Sequence, residues 1–386
     1  MNRHERSRPQ WFLAVVLLSF AAGCAPVKPE SQGNPIFYPP PPDVPRLQFL
    51  MSFSNLDAWS GNTGTSFTDF VVGANKSERK KIVSPYGIAA WNARIYICDL
   101  AKHCVYFVDF ANKTSGTLGT PDLIDNPVNI AIDADGTKYV CDTQKRMVAV
   151  FDAQDKFVRS LGDAKRCTPI CLAIRGDELF VVDIDGGKVE VWNKAGKLLR
   201  TISSKGNDPG QLFMPTNIAI SPGSIIYIAN TGNSSVERFD MEGRYLKPLG
   251  LPGDTPGYFA RPKGIAIDPH GVVYVADCQW DVVQIFSPEG RVLWVFDGRS
   301  NGPDQMDMPT GLAIDASSLP YFRQYVNKDF EAEYLLFVTD EFGKRNKVSV
   351  FAFGNTNKAK TASTRPRPTT RPSTEPSSAP SSAPGK

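Results

Sequence analysis

Histidine is nearly absent from this chain of 386 residues, which contains three: His4, His103 and His270. His4 belongs to an N-terminal segment with the features of a cleaved signal peptide, so two remain. Two histidines cannot supply a metal centre built from several imidazoles. His270 stands in Asp268-Pro-His-Gly271 and is predicted to be a turn residue. His103 is predicted to lie in a loop, where it is a candidate for ligand contact.

The chain also lacks the short motifs of common catalytic and metal sites. No Cys-x-x-Cys pair, c-type haem motif, phosphate-binding loop, nucleophile elbow or zinc-protease motif occurs. Asp133-x-Asp135-Gly and Asp183-x-Asp185-Gly resemble the start of a calcium loop. Neither continues to the terminal Glu of that loop, so both are predicted to be hairpin turns.

The central part of the chain has no large net charge of either sign. The net charge is +3, of which the first 23 residues contribute +2 and residues 355 to 386 contribute +5. The region between them is therefore mildly acidic, at −4. This charge gives no argument for nucleic-acid binding.

The only long apolar run is at the N-terminus. Three arginines precede an apolar stretch from Trp11 to Phe20, which is followed by Ala21-Ala-Gly-Cys24. The stretch is too short to span a membrane and predicts a signal peptide at residues 1–23. Cys24 is similar to the lipid-attachment cysteine of bacterial lipoproteins; the alternative is ordinary cleavage that leaves Cys24 unmodified. Ala25, in place of Asp, favours the outer membrane as the location in the cell envelope.

Two further segments are not expected to form a core. Residues 24–44 include Tyr38-Pro-Pro-Pro-Pro42 and are predicted to be an extended tether. Residues 355–386 consist mainly of Pro, Ser, Thr and Ala with a few basic residues, and are predicted to be disordered.

The region between these segments contains one phrase six times. Successive copies are 42 to 47 residues apart. They are Pro85-Tyr-Gly-Ile-Ala, Pro127-Val-Asn-Ile-Ala, Pro169-Ile-Cys-Leu-Ala, Pro215-Thr-Asn-Ile-Ala, Pro262-Lys-Gly-Ile-Ala and Pro309-Thr-Gly-Leu-Ala. A period of this length is typical of propellers and solenoids.

Each repeat contains the pattern of four short strands. The phrase begins the first, and the second ends in Asp or Asn, as in Tyr139-Val-Cys-Asp142. We expect these acids to bind nearby backbone amides rather than to catalyse. The chain is thus predicted to be all-β, with a six-bladed β-propeller of four-stranded antiparallel blades at residues 45–354.

The sixth repeat differs from the others. An insertion from Ala316 to Tyr334 separates its first two strands, and Val348 to Phe353 runs directly into the tail. The missing fourth strand is found upstream, at Pro45 to Phe53. We therefore predict that an N-terminal strand closes the last blade, which pairs an edge that would otherwise be exposed.

The best-formed repeat lies at residues 262 to 286. Its phrase Pro-x-Gly-Ile-Ala-Ile-Asp, followed by Tyr-Val-Ala-Asp and Val-Gln-Ile-Phe, resembles the NHL repeat of six-bladed β-propellers. The segment Tyr38 to Arg46 is similar to the leader of bacterial propeller lipoproteins of this type. Some members of that group occur beside secreted multihaem cytochromes, so the resemblance implies a supporting role in an envelope or electron-transfer complex.

Six cysteines remain besides Cys24, and an even number in an exported protein favours disulfides. They are Cys98, Cys104, Cys141, Cys167, Cys171 and Cys278, all towards the rim where second strands end. We expect Cys98 to pair with Cys104, and Cys141 to pair with Cys167 or Cys171. A thiolate metal site or redox pair is the less favoured alternative, because no Cys-x-x-Cys occurs.

The same rim is the predicted binding surface, because loops from every blade converge there over the central channel. Asn129 and Asn217 are expected to point their amides at the channel mouth. The loops add His103, Arg146, Trp280 and Asp281. Trp280 is the strongest candidate, since a large aromatic side chain at a loop tip is costly to expose unless it packs or binds; its alternative is packing against the neighbouring blade.

These observations favour a monomeric, lipid-anchored scaffold that binds an envelope protein or glycan through the loop rim, without nucleic acid or a cofactor. The alternative is a lactonase-like, metal-dependent hydrolase or lyase at the axial channel mouth. Only a weak indication of a divalent metal exists there, since Asn129 and Asn217 could be ligands but no ring-lining Glu is evident.

Overall fold

A computed structural model of the protein describes residues 34–59, 81–298, 302–343 and 347–356. The predicted signal peptide, Cys24 and residues 357–386 of the predicted tail lie outside the described residues. Within these ranges no helix is long and apolar enough to cross a membrane.

The described chain is almost entirely β-structure. The strands of the first half are β1 (Ile36–Tyr38), β2 (Leu47–Phe53), β3 (Pro85–Trp91), β4 (Arg94–Asp99), β5 (Cys104–Asp109), β6 (Thr114–Leu118), β7 (Pro127–Ile132), β8 (Lys138–Asp142), β9 (Met147–Phe151), β10 (Phe157–Leu161), β11 (Pro169–Arg175) and β12 (Glu178–Asp183). Those of the second half are β13 (Lys188–Asn193), β14 (Leu198–Ile202), β15 (Pro215–Ile220), β16 (Ile226–Asn230), β17 (Ser235–Phe239), β18 (Pro262–Ile267), β19 (Val273–Asp277), β20 (Val282–Phe286), β21 (Val292–Phe296), β22 (Pro309–Asp315), β23 (Phe330–Asp340) and β24 (Val348–Thr356).

These strands form six antiparallel sheets, which are the blades of a six-bladed β-propeller, as predicted. Blades 1, 2, 3 and 5 are β3–β6, β7–β10, β11–β14 and β18–β21, each with four strands. Blade 4 contains β15–β17, and its outermost segment is reduced to a bridge between Phe239 and Tyr245. Blade 6 has the order β22, β23, β24, β2, β1.

The ring closes in the predicted way. Strand β2 pairs antiparallel with β24, from Leu47 opposite Phe353 to Phe53 opposite Val348. Strand β1 then pairs with β2, although it lies inside the segment predicted as a tether. It is ordered by packing, since the Tyr38 ring is buried and its centroid is 5.4 Å from that of Phe296 in blade 5.

The hydrophobic core is divided into six clusters, one between each pair of adjacent blades. This follows from the strand pattern, because alternate side chains of each strand point to opposite faces of its sheet. Both faces of every blade are covered by a neighbour, so the second strands are apolar at nearly every position.

The acids that end the second strands have the predicted structural role. The Asp142 carboxylate accepts hydrogen bonds from the amides of Asp125 (2.6 Å), Asn126 (3.2 Å) and Lys145 (2.8 Å). Asp99, Asp183, Asp277 and Asp340 bind amides in the same way. Each acid therefore ties the end of a second strand to the loop that enters the first.

The insertion in blade 6 forms a short helix α1 (Leu319–Phe322) and a 3₁₀ turn (Arg323–Tyr325). Its last residues, from Phe330, extend β23 and pair with an equally extended β24. The buried Phe322 ring packs 4.9 Å from Phe110 of blade 1. The insertion therefore covers the junction of blades 6 and 1.

Candidate functional site

We call the end of the propeller where first strands begin and second strands end the upper face, and the opposite end the lower face. The upper channel mouth is filled by side chains that directly follow the phrase prolines. Tyr86 of blade 1 and Lys263 of blade 5 meet there, with the ammonium 4.9 Å from the ring centroid. Blade 6 lies between these two blades, so this contact joins blades that are not adjacent in the ring. Lys263 also pairs with Glu341 of blade 6 at 3.2 Å.

The two asparagines that were predicted to point their amides at this mouth do not expose them to solvent. Asn129 and Asn217 are both buried. A Cβ added to Gly87 would lie 2.7 Å from Oδ1 of Asn129, which shows that this amide fills the gap between the first strands of blades 1 and 2. The register of every first strand shifts just after its proline. Such a bulge re-aims the following side chains, so strict alternation fails there.

The other predicted ligand-binding residues lie on the upper face but are dispersed. Arg146 is 3.3 Å from the Asp185 carboxylate, and the His103 ring nitrogen Nδ1 is 2.9 Å from the carbonyl oxygen of Asp125. Trp280 is 46% exposed, and Asp281 beside it is also exposed. The structure therefore gives no common pocket for the six predicted residues.

A different set of residues continues the surface around Trp280. Phe342, in the loop after β23, is 63% exposed. The Met308 amide lies near the Asp281 carboxylate, and the Met308 carbonyl accepts a hydrogen bond from the Glu341 amide at 3.1 Å. The Trp280 and Phe342 loops therefore flank the same residue. One further exposed aromatic side chain, Phe213, lies in the upper-face loop before β15.

The predicted disulfides are absent, because the six described cysteines are all free thiols. Cys98 lies opposite Val105, whereas Cys104 lies opposite Asp99. Cys98 and Cys104 therefore point to opposite faces of blade 1, and pairing between them is wrong. Cys141 shares a core with Cys167 between blades 2 and 3, while Cys171 belongs to the next core.

The thiols are not suited to metal binding or nucleophilic chemistry. Burial raises the pKa of Cys171 to about 12 and that of Cys104 to about 11, so both stay protonated. In the described part of the chain, no group of three or more His, Cys, Asp or Glu side chains is placed to hold a metal ion. The Lys263 ammonium at the upper mouth is also unfavourable for a cation.

The lower face contains a cavity of about 530 Å³ at the channel axis, which we call the axial cavity. Its apolar part is formed by Ile220, Ile267 and Ile314, near the ends of the first strands of blades 4, 5 and 6. Its other lining residues are Arg175, Pro222, Asp268, Pro269, His270, Asp315, Ala316, Glu333 and Tyr334.

The polar groups of the axial cavity are largely engaged in the fold. The buried Asp268 carboxylate accepts hydrogen bonds from the Tyr334 hydroxyl at 2.7 Å and from the His270 amide at 2.9 Å. Burial raises the pKa of Tyr334, so its hydroxyl remains a donor. The prediction that His270 is a turn residue is confirmed, and its ring lies 3.8 Å from the Glu333 carboxylate.

A second lower-face cavity, of about 510 Å³, lies between blade 1, blade 2 and the insertion; we call it the side cavity. It is lined by Trp91, Asn92, Ala93, Arg94, Asp109, Ala111, Asn112, Ala153, Gln154 and Tyr321. Neither cavity was predicted from the sequence, because the predicted binding residues all belong to loops of the upper rim. The available signal was the aromatic insertion, which contributes Tyr321 to one cavity and Tyr334 to the other.

No protein-family model matches the chain, and a search of curated proteins also finds no match. Solved structures do match. A gluconolactonase from Xanthomonas campestris is 14% identical, with a TM-score of 0.54, over 84% of this chain and 99% of that one. A Bacteroides thetaiotaomicron protein of unknown function is 15% identical, with a TM-score of 0.55, over 80% and 75%.

Virginiamycin B lyase from Staphylococcus aureus is 14% identical, with a TM-score of 0.50, over 69% of this chain and 80% of that one. Identities this low show a common fold and carry no information on activity. The chain is therefore a six-bladed β-propeller that shares its architecture with lyases and lactonases.

Proposed function

We propose that this protein is a binding propeller of the bacterial cell envelope, anchored by lipid on Cys24, which binds a protein partner through its upper face. The observation that carries the proposal is the exposure of Trp280 and Phe342 on adjoining loops, with Phe213 on the same face. Exposed aromatic side chains are enriched among the residues that dominate protein–protein binding.

Because side chains fill the upper mouth, this face is better suited to bind a partner on its surface than to admit a substrate into the channel. The side chains of Tyr86 and Lys263 occupy the upper mouth, so a partner would contact these two side chains and the surrounding loops. A metal-dependent hydrolase or lyase at this mouth would need ligands that the described residues do not bring together. Stoichiometric divalent metal in the purified, tag-free protein would favour the enzyme and count against the binding role.

The double variant Trp280→Ala, Phe342→Ala is expected to lose the partner. Truncation of a central interface aromatic typically costs about 2 kcal/mol or more, so we expect affinity to fall at least about 30-fold. The partner is first isolated by crosslinking and capture from solubilised envelopes, and its affinity is then measured with purified components.

The control is the double variant Val158→Ala, Leu199→Ala, whose side chains are exposed on the outer strands of blades 2 and 3. It should bind as the unmodified protein does. Equal affinity of both double variants, at unchanged melting temperature, would exclude the upper-face assignment.

The anchor is tested separately by Cys24→Ser. If Cys24 carries lipid, the substitution removes the acyl chains, each of whose buried methylene groups contributes about 0.8 kcal/mol to membrane binding. We expect the variant to move from the membrane fraction to the soluble fraction. Mass spectrometry of the N-terminal peptide checks the modification, and an unmodified Cys24 in the membrane-bound protein would disprove the anchor.

A further inference from the structure

The side cavity is assembled from three parts of the propeller. Trp91, Asn92 and Arg94 come from the first hairpin of blade 1, Gln154 from a turn of blade 2, and Tyr321 from the insertion in blade 6. Its volume of about 510 Å³ lies within the range of about 300–1,000 Å³ that is usual for small-molecule sites. It is separate from the upper face, so it is not part of the proposed protein-binding surface.

The polar lining of this cavity carries no net charge. Arg94 and Asp109 form an ion pair at 2.6 Å, and the remaining polar side chains are the amides Asn92, Asn112 and Gln154 with the Tyr321 hydroxyl. An amide presents donors and an acceptor in one plane, which matches a hydroxyl that both donates and accepts. This lining therefore suits neighbouring hydroxyl groups better than an isolated anion or cation.

The apolar lining is aromatic. Trp91 and Tyr321 provide the two large apolar surfaces, and the other apolar side chains are alanines. An aromatic face carries negative potential and attracts weakly polarised C–H groups, as on the face of a pyranose ring. No Leu, Ile, Val or Phe lines the cavity, so it does not provide the aliphatic surface that an acyl chain would need.

The walls of the cavity are held in place by contacts across blades. A Cβ added to Gly136 of blade 2 would lie 2.6 Å from the Trp91 ring, so this glycine allows the indole to pack closely. Asn92 and Ala93 form a turn with φ of 48° and 61°. The Ala93 amide donates a 2.9 Å hydrogen bond to Oγ of Ser317 in the insertion. The insertion therefore supplies Tyr321 and also fixes the opposite wall, which reduces the ordering cost of binding.

We propose that the side cavity is a binding site for a neutral carbohydrate, with a sugar ring between Trp91 and Tyr321 and its hydroxyl groups bonded to Asn92, Asn112 and Gln154. The axial cavity has a different lining, because its apolar side chains include three isoleucines and its polar side chains include the acids Asp268, Asp315 and Glu333. The proposal is independent of the upper-face partner and of the lipid anchor.

The test is titration of the full chain, after removal of the predicted signal peptide, with neutral saccharides, followed by calorimetry and saturation-transfer NMR. The panel contains glucose, galactose, N-acetylglucosamine, maltose, cellobiose, lactose and chitobiose. Glucuronate and glucosamine are charged counterparts of the same ring. We expect at least one neutral saccharide to bind and the charged counterparts to bind more weakly.

Two variants link that binding to the cavity. Tyr321→Ala removes an exposed aromatic side chain and should weaken binding at least about 10-fold. Gln154→Ala removes hydrogen bonds and should weaken it about 3- to 10-fold. Tyr258→Ala is the matched control, since Tyr258 does not line the side cavity and is 44% exposed, whereas Tyr321 is 39% exposed; its affinity should stay within about twofold of the unmodified protein's.

Three results would overturn the proposal. One is that no saccharide of the panel binds at concentrations up to about 10 mM. A dissociation constant above that concentration means a binding free energy weaker than about 3 kcal/mol. Another is tighter binding of a charged counterpart than of its neutral parent. The third is binding that is unchanged in both Tyr321→Ala and Gln154→Ala. Tyr321 and Gln154 are exposed, so both variants are expected to fold, and melting temperatures check this.

Discussion

Asp155→Ala is expected to lower the free energy of unfolding by about 3–5 kcal/mol. The Asp155 carboxylate joins blades 1 and 2, where it is 2.7 Å from Nζ of Lys138 and 2.9 Å from Nη1 of Arg94. It also accepts a 2.8 Å hydrogen bond from the Tyr96 hydroxyl. Lys138 is completely buried, so removal of its carboxylate partner leaves a cation that water cannot reach.

The remaining contacts of Lys138 only partly offset this loss. Its ammonium donates to the carbonyl oxygens of Asp152 at 2.9 Å and Ala153 at 3.0 Å, and it lies 5.5 Å from the Trp91 ring centroid. Lys138→Met should therefore cost less than Asp155→Ala, because it removes the buried cation itself. The double variant should cost less than the sum of the two single ones, since the charges interact directly.

Urea denaturation measures these changes through the midpoint and slope of the transition. Asp155 has a φ of 65°, so Asp155→Asn is included because Asn tolerates this conformation better than Ala. Asp177→Ala is the control, since Asp177 is almost fully exposed and 3.8 Å from Lys194; it should cost less than about 0.5 kcal/mol. A cost below about 1 kcal/mol for Asp155→Ala would contradict the role of this network.

Asp142→Ala is expected to cost about 3 kcal/mol or more, because three backbone amides lose a charged acceptor in the protein interior. The measurement is again urea denaturation. Asp142→Asn should cost less, about 1–2 kcal/mol, since the amide retains one oxygen but turns a donor group towards backbone amides that also donate.

Blade 4 allows the opposite substitution, because Asn230 ends its second strand where Asp142 ends that of blade 2. Its Oδ1 accepts from the Phe213 amide at 2.8 Å, and its Nδ2 donates to the Gln211 carbonyl at 3.0 Å. Asn230→Asp places a carboxylate oxygen against that carbonyl and should cost about 1–3 kcal/mol. Asp177→Asn serves as the surface control. If Asp142→Asn and Asn230→Asp are both neutral, the hydrogen bonds seen here do not select the residue in each blade.

Close approach of backbones around the axis was not visible in the sequence. A Cβ added to Gly264 would lie 2.3 Å from the carbonyl oxygen of Thr310, and one added to Gly311 would lie 2.2 Å from that of Tyr86. The phrase therefore contains glycine where first strands of adjacent blades approach most closely. The sequence shows the glycine, but the distance depends on how two blades separated by a whole repeat pack together.

The candidate site was predicted only in part. Trp280 is exposed on the expected face, as its position at a loop tip indicated. Asn129 and Asn217 are buried, and a register irregularity precedes each of them; such a bulge interrupts the alternation from which side-chain direction is predicted. The side cavity joins Trp91, Gln154 and Tyr321, which are distant in sequence, so no local pattern could indicate it.

Residue patterns along the chain are enough to predict the number of blades, the closure by an N-terminal strand and the binding of backbone amides by the acids that end second strands. These features depend on contacts within one repeat or on the sixfold recurrence of the phrase, and both can be recognised from residues that are close in the chain. The three-dimensional arrangement is needed to know which residues fill the upper mouth, which sheet face each thiol occupies and which lower-face turns enclose a cavity. Those features depend on bulges, on the packing of adjacent blades and on the insertion, because each of them brings together residues from different repeats.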